Sequence, residues 1–345
     1  MRHFLFILLA VFSLCSHAEP DNTCWGDPVN IAVVTMSSAS FSSNKKGASA
    51  RMRYSTVPDR FPAVCNRNME GSGLMMSHYV DMGSGLAPSD LNPGYFKLNE
   101  DVDIRISSAA TGSAAYEYFP LAPPGLKAFT VPPVGQGTRG MMFSTTSQGY
   151  IYLMLRRNII GGAVVVPSNT ELFSVYRVMY TNDISVPRPS RPSKPLVQAR
   201  TRPGGQVIPV PSECSINQGN VINVNFGMLQ TALIPASSSG KKGEGYSKDI
   251  TLSFNCNSSL TQNVKVKLVA DTSIFSSDLI RSDNAELGFA LKNNERLVKP
   301  MGAFPIRLED GLGRASITLM PVRNPQAELK GGVFNASATL VIQSL

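Results

Sequence analysis

Apolar and polar residues alternate with a period of two along much of the second half of the chain. Ile222, Val224 and Phe226 alternate with asparagines, and Ile250, Leu252, Phe254 and Cys256 alternate with Thr251, Ser253 and Asn255. Val264, Val266 and Leu268 alternate with Lys265 and Lys267. Leu287, Phe289 and Leu291 follow, then Ala315, Ile317 and Leu319. Phe334, Ala336, Ala338, Leu340 and Ile342 close the chain on one face, with Asn335, Ser337, Thr339 and Gln343 on the other; Val341 breaks the pattern. Side chains two apart share one face of a strand, so this period predicts half-buried strands, and the Gly, Pro and Ser/Asn punctuation predicts the turns of an antiparallel sandwich. The first half is also β-rich but less regular, with strands expected at 31–36, 102–106, 116–119, 150–155, 163–166 and 173–180. No stretch keeps a helical period. The fold class is all-β, with two β-sandwich domains.

Between the halves, Pro187, Pro189, Pro192 and Pro195 alternate with Arg188, Arg191 and Lys194. Closely spaced prolines favour an extended chain that cannot enter a sheet interior, so 187–206 reads as a solvated linker between a first domain, 19–186, and a second, 207–345. Residues 1–18 read as a secretory signal. Arg2 is followed by the apolar run 4–12, and Ser16-His17-Ala18 offers small residues for cleavage before Glu19. The run is shorter than the ~20 residues that a membrane span requires. The expected product is exported.

Cleavage removes Cys15 and leaves Cys24, Cys65, Cys214 and Cys256, an even count that favours disulfides in an exported chain. Three pairings are possible; the cysteines fall into one pair on each side of the proline-rich break, which favours Cys24 with Cys65 and Cys214 with Cys256. Each bond would stabilise its domain by ~4 kcal/mol through chain entropy. His78 is the only histidine beyond the signal and no C-x-x-C occurs, so no metal and no cofactor is expected. The 32 basic and 24 acidic side chains give a formal charge of +8, but 19–186 is balanced, and 187–211 holds five basic residues and no acid. The charge belongs to one short stretch and not to a nucleic-acid-binding face. Catalysis finds few groups: one histidine, no G-x-S-x-G, and an Asp101/Asp103 pair that reads as a solvated strand face.

The second half resembles the pilin domain of chaperone–usher fimbriae, and the whole chain resembles a two-domain tip adhesin. The resemblance rests on Cys214 and Cys256 in the first two strands, on Gly332 fourteenth from the C-terminus, and on the alternating Phe334, Ala336, Ala338, Leu340 and Ile342 after it. Ser344 departs from the penultimate aromatic usual in the family. The resemblance implies an incomplete immunoglobulin-like fold lacking its last strand. It further implies a periplasmic chaperone that lends a strand beside 333–343 and anchors the carboxylate of Leu345. An outer-membrane usher and the donor strand of the next subunit would then take over. The first domain would bind a host receptor, glycan or protein, at a fimbrial tip on the cell surface. Candidate contacts are Trp25, Tyr54, Tyr95, Tyr116 and Tyr118, because sugar sites pair aromatic platforms with polar groups. A structural minor subunit without receptor binding is the alternative, and an exported glycan-active enzyme is the third reading.

Overall fold

The computed structural model describes residues 19–68, 75–109, 116–121, 129–130, 137–180, 189–239, 246–257 and 261–344. The signal segment and Leu345 lie outside the described residues. Among the described residues, the regular structure is β apart from two single 3₁₀ turns, Asn217–Gly219 and Thr231–Leu233.

In the first domain one ladder runs in the order Gly137–Phe143, Phe61–Arg67, Thr23–Trp25, Glu171–Tyr180, Val197–Thr201, Asn30–Met36, Ser49–Val57, Gln148–Leu155, Val102–Ser108, Phe96–Lys97. It wraps a main apolar core that takes Val34, Met52, Ile104, Ile151, Leu153 and Phe173 from strands spread along the ladder, and a smaller buried cluster of Met76, Phe143 and Met179 surrounds Cys24 and Cys65. Ser49–Val57 shows the logic most simply. Ala50, Met52, Tyr54 and Thr56 turn inward, while Arg51, Arg53 and Ser55 turn to solvent. Cys24 lies opposite Cys65 on neighbouring strands, and the two are bonded.

The segment 187–206 is not all linker. Past Pro195, Val197–Thr201 enters the sheet, parallel to Asn30–Met36 and antiparallel to Glu171–Tyr180. Its pattern explains this: Val197, Ala199 and Thr201 are buried and Gln198 and Arg200 face outward, so the strand period resumes as soon as the prolines end. Gln206–Pro209 then pairs with Ala163–Val166. The carboxylates at 101 and 103 also differ from expectation. Both are buried, Asp103 against Arg156 at 2.6 Å and Asp101 against Arg157 at 2.7 Å, because each meets an arginine just past the neighbouring strand.

The second domain packs two sheets face to face. One runs Cys214–Ile216, Lys248–Cys256, Leu312–Arg323, Leu287–Asn293, Ile280–Arg281; the other runs Ala303–Leu308, Gln262–Val269, Thr339–Ser344. Leu252, Phe254 and Ile317 from the first meet Val264, Val266, Leu268 and Ile342 from the second in one core. This is an immunoglobulin-like sandwich. Cys214 and Cys256 are bonded across its first two strands.

A first domain cut at residue 186 would lose Val197–Thr201 and leave two inner strands with open edges. Residues 19–211 are expected to show a cooperative thermal transition by circular dichroism, and 19–186 to aggregate. Equal melting of the two would contradict the strand assignment.

Candidate functional site: an open groove and an aromatic face

The second sandwich is one strand short. Thr339–Ser344 pairs on one side with Gln262–Val269 and has no ladder partner on the other among the described residues. Across from it, the chain leaves the first sheet after Ile216 and runs from 220 to 230 without ladder pairing. Between these two backbones opens a cleft of about 1270 Å³. Ile222, Phe226 and Leu229 line one wall, Phe334 and Leu340 the other, and Leu268, Phe289 and Leu291 the floor. Phe289 sits between the rings of Phe226 and Phe334, with centroids 5.5 and 5.8 Å away. The rim is apolar and wet: Met228 is 98% and Val333 90% exposed. An open backbone edge beside an apolar cleft with exposed apolar residues on its rim has the two features that recruit a further strand.

Residues 204–343 match the family model of the fimbrial proteins. The second domain belongs to the fimbrial protein family. That family is one of structural and adhesive subunits, not of enzymes. The fimbrial domain also resembles the P pilus rod subunit PapA, at 18% identity and TM-score 0.32 over 39% of this chain and 100% of that one. The full chain resembles the CupB6 tip adhesin from Pseudomonas aeruginosa, at 13% identity and TM-score 0.30 over 94% of this chain and 95% of that one. It also resembles the chaperone–tip subunit complex CsuC-CsuE of the archaic chaperone–usher Csu pili of Acinetobacter baumannii, at 10% identity and TM-score 0.25 over 79% and 85%. No curated protein sequence matches. The assignment rests on the family match, the disulfide and the groove.

The structure treats the expected groove residues unequally. Ile342 is buried in the core of the fimbrial domain, and Phe334 and Leu340 are half-buried against it. Ala336 and Ala338 are exposed, because only 339–344 joins the ladder. The preceding segment is tied elsewhere. The Asn335 backbone N–H donates to Asp283 Oδ1 at 2.7 Å, and Ala336 bridges to Ser282. The Asn335 hydrogen bonds hold the Asp283 carboxyl below its ordinary range. Gly332 takes φ +152°, which residues with a Cβ rarely adopt, at the point where the chain turns along the cleft.

The other face of 339–344 explains Val341. It packs with Ala163 and Val165 of the first domain and with Val269. Two residues on, the Gln343 side-chain amide donates to buried Asp101 Oδ2 at 3.0 Å. Nearby, Asn44 donates to Glu213 Oε1 at 2.8 Å and holds that carboxyl below its ordinary range. The strand that borders the groove is thus also the seam between the domains. Gln343, which reads from sequence as a solvated position, is buried there.

The expected receptor contacts divide. Tyr54 is a core residue, 3% exposed; its O–H donates to Thr146 O at 3.1 Å, and burial pushes its phenol up. Trp25 is half-buried on the short strand beside the Cys24–Cys65 bond. Tyr95, Tyr116 and Tyr118 come together, and with them Tyr150 and Tyr152, which the sequence reading did not single out. Tyr116 meets Tyr150 edge-on at 5.0 Å, and Tyr118 meets Tyr152 at 5.8 Å. Arg51, Arg53 and Arg105 complete this outer face of the first domain. His78 is buried, with its Nε2 accepting from Arg177 Nε at 2.8 Å.

Replacing Ile342 with Asp is expected to abolish soluble protein, since an unpaired buried carboxylate costs several kcal/mol, of the order of the whole stability. Thr339→Asp on the exposed side should shift stability by no more than ~0.5 kcal/mol. Soluble yield and urea midpoints check both, and equal tolerance at the two positions would contradict the orientation of the strand.

Proposed function

We propose that this subunit is a tip adhesin of a chaperone–usher fimbria. Its fimbrial domain is completed by a strand donated first by a periplasmic chaperone and then, at the outer-membrane usher, by the next subunit. The one-sided pairing of Thr339–Ser344 over an open apolar cleft carries this reading. An incoming extended segment satisfies the free backbone edge and places alternate side chains on Phe289, Leu291 and Leu268. The first domain directly precedes the fimbrial domain and packs against it through Val341 and Gln343. In this reading it takes the place where a shaft subunit carries its own donor strand. The subunit therefore accepts a strand without passing one on, stands at the distal end, and turns the first domain outward to a receptor.

A peptide with the alternating apolar pattern of a fimbrial donor strand, supplied at a hundred times its Kd, contributes ~2.7 kcal/mol. For a protein of this size that is a rise of about 5–10 °C in melting temperature, converted at ~2–4 °C per kcal/mol. A peptide of the same composition with its alternation scrambled should leave the transition unmoved. In assembled fimbriae, antibody against the first domain should label one end of each fibre. Labelling along the shaft would overturn the tip assignment.

A further inference from the structure

The outer face of the first domain carries an array that packing alone does not account for. Three adjacent strands, Ser49–Val57, Gln148–Leu155 and Val102–Ser108, present Arg51 and Arg53, Tyr150 and Tyr152, and Arg105 in cross-strand register. Arg53 lies opposite Tyr150, while Arg51 lies opposite Tyr152, which in turn lies opposite Arg105. Tyr118 is added by the short strand paired to Ser107. The guanidinium of Arg51 stands 3.8 Å from the Tyr150 ring centroid, and that of Arg105 stands 3.5 Å from Tyr118. Arg53 is 5.8 Å from Tyr150.

The charge on this face is uncompensated. Residues 19–186 hold equal numbers of basic and acidic side chains, and Arg156, Arg157 and Arg191 each meet a carboxylate. Among the described residues, Arg51, Arg53 and Arg105 meet none, and the Nε of Arg105 is enclosed without a hydrogen-bond partner. Asp103, next to the array, is already held by Arg156. Glu117 points to the opposite side of its strand from Tyr118. Stacking on the rings fixes the planes of the guanidiniums and leaves their N–H edges free, which is the preparation needed to grip a planar or tetrahedral anion in two places.

We propose that Arg51, Arg53, Arg105, Tyr118, Tyr150 and Tyr152 form a binding surface for an acidic polysaccharide. Its carboxylates or sulfates lie on the guanidinium N–H edges, and its sugar hydroxyls hydrogen-bond the tyrosine O–H groups. The proposal rests on the reading of the first domain as receptor-binding and names the class of receptor. The site is a sheet face spanning neighbouring strands ~4.8 Å apart, which suits a long chain contacted at several points better than a single enclosed sugar. Single-stranded nucleic acid would meet the same charge but needs ring faces open for base stacking. Here the ring pairs are tilted by 45–62° and two rings are already covered by arginines. Burial pushes the Tyr95 and Tyr152 phenols up, so they stay neutral hydroxyls for sugar oxygens.

The test uses the full chain on immobilised alginate (carboxylate), heparin (sulfate), neutral dextran and single-stranded DNA, with fimbriated cells assayed on host cells in parallel. At least one acidic polysaccharide should bind and dextran should not, and affinity should fall at least tenfold between 50 and 300 mM salt. The triple variant R51A/R53A/R105A should lose at least tenfold in affinity, while Arg191→Ala changes little. Should the triple variant fail to fold, the salt dependence and competition by soluble polymer decide with the unaltered chain. Salt-independent binding, equal retention on dextran, or tighter binding of DNA overturns the proposal. Cell adhesion that survives the triple variant overturns it too, yet leaves the adhesin reading standing. Absence of both polysaccharide binding and cell adhesion brings down both.

Discussion

The structure depends on a row of backbone groups without a partner. Among the described residues, 339–344 bonds to Gln262–Val269 on one side only, and the chain at 220–230, which would be two strands away in a closed sandwich, makes no ladder. Buried backbone N–H and C=O groups are almost always satisfied, and open edges are ordinarily short, charged or covered. Here the edge borders an apolar cleft whose floor is the domain core itself. The fold is therefore closed in its two sheets and open along one line, the line at which the proposed donor strand would pair.

The same strand couples the two halves. On one side, Ile342 enters the fimbrial core; on the other, Val341 and Gln343 meet Ala163, Val165 and Asp101 of the first domain. Asp101 is itself held by Arg157, so the contact is a short polar chain within an apolar seam. Whatever occupies the groove thereby lies one strand from the first domain. The aromatic and arginine face lies on strands of that domain whose inner residues, Met52, Ile104, Ile151 and Leu153, are core. In the proposed binding role, this face is held by packing that a ligand would not have to organise.

Much of this was legible in the period-two pattern. Leu252, Phe254, Val264, Val266 and Leu268 are core residues, and the cysteines sit opposite each other on adjacent strands. The failures have physical causes. Val197–Thr201 was hidden because proline and charge upstream dominate the reading of 187–206, although its own alternation was present. Tyr54 looked like its neighbours, but it occupies an inward position between outward Arg53 and Ser55. Gln343 reads as solvated by its alternation, but the first domain, and not water, covers that face. Arg51-x-Arg53 and Tyr150-x-Tyr152 each carry a visible outward period. Their meeting is a matter of strand pairing across about a hundred residues, which local pattern does not encode.

Hydrogen–deuterium exchange, followed residue by residue with and without a donor-strand peptide, reads the open edge itself. Fast exchange is expected at the outward-facing amides of 339–344 and through 220–230 in the free subunit, with strong protection of both once the peptide is bound. Protection already present in the free subunit, or unchanged exchange with the peptide in place, would contradict it.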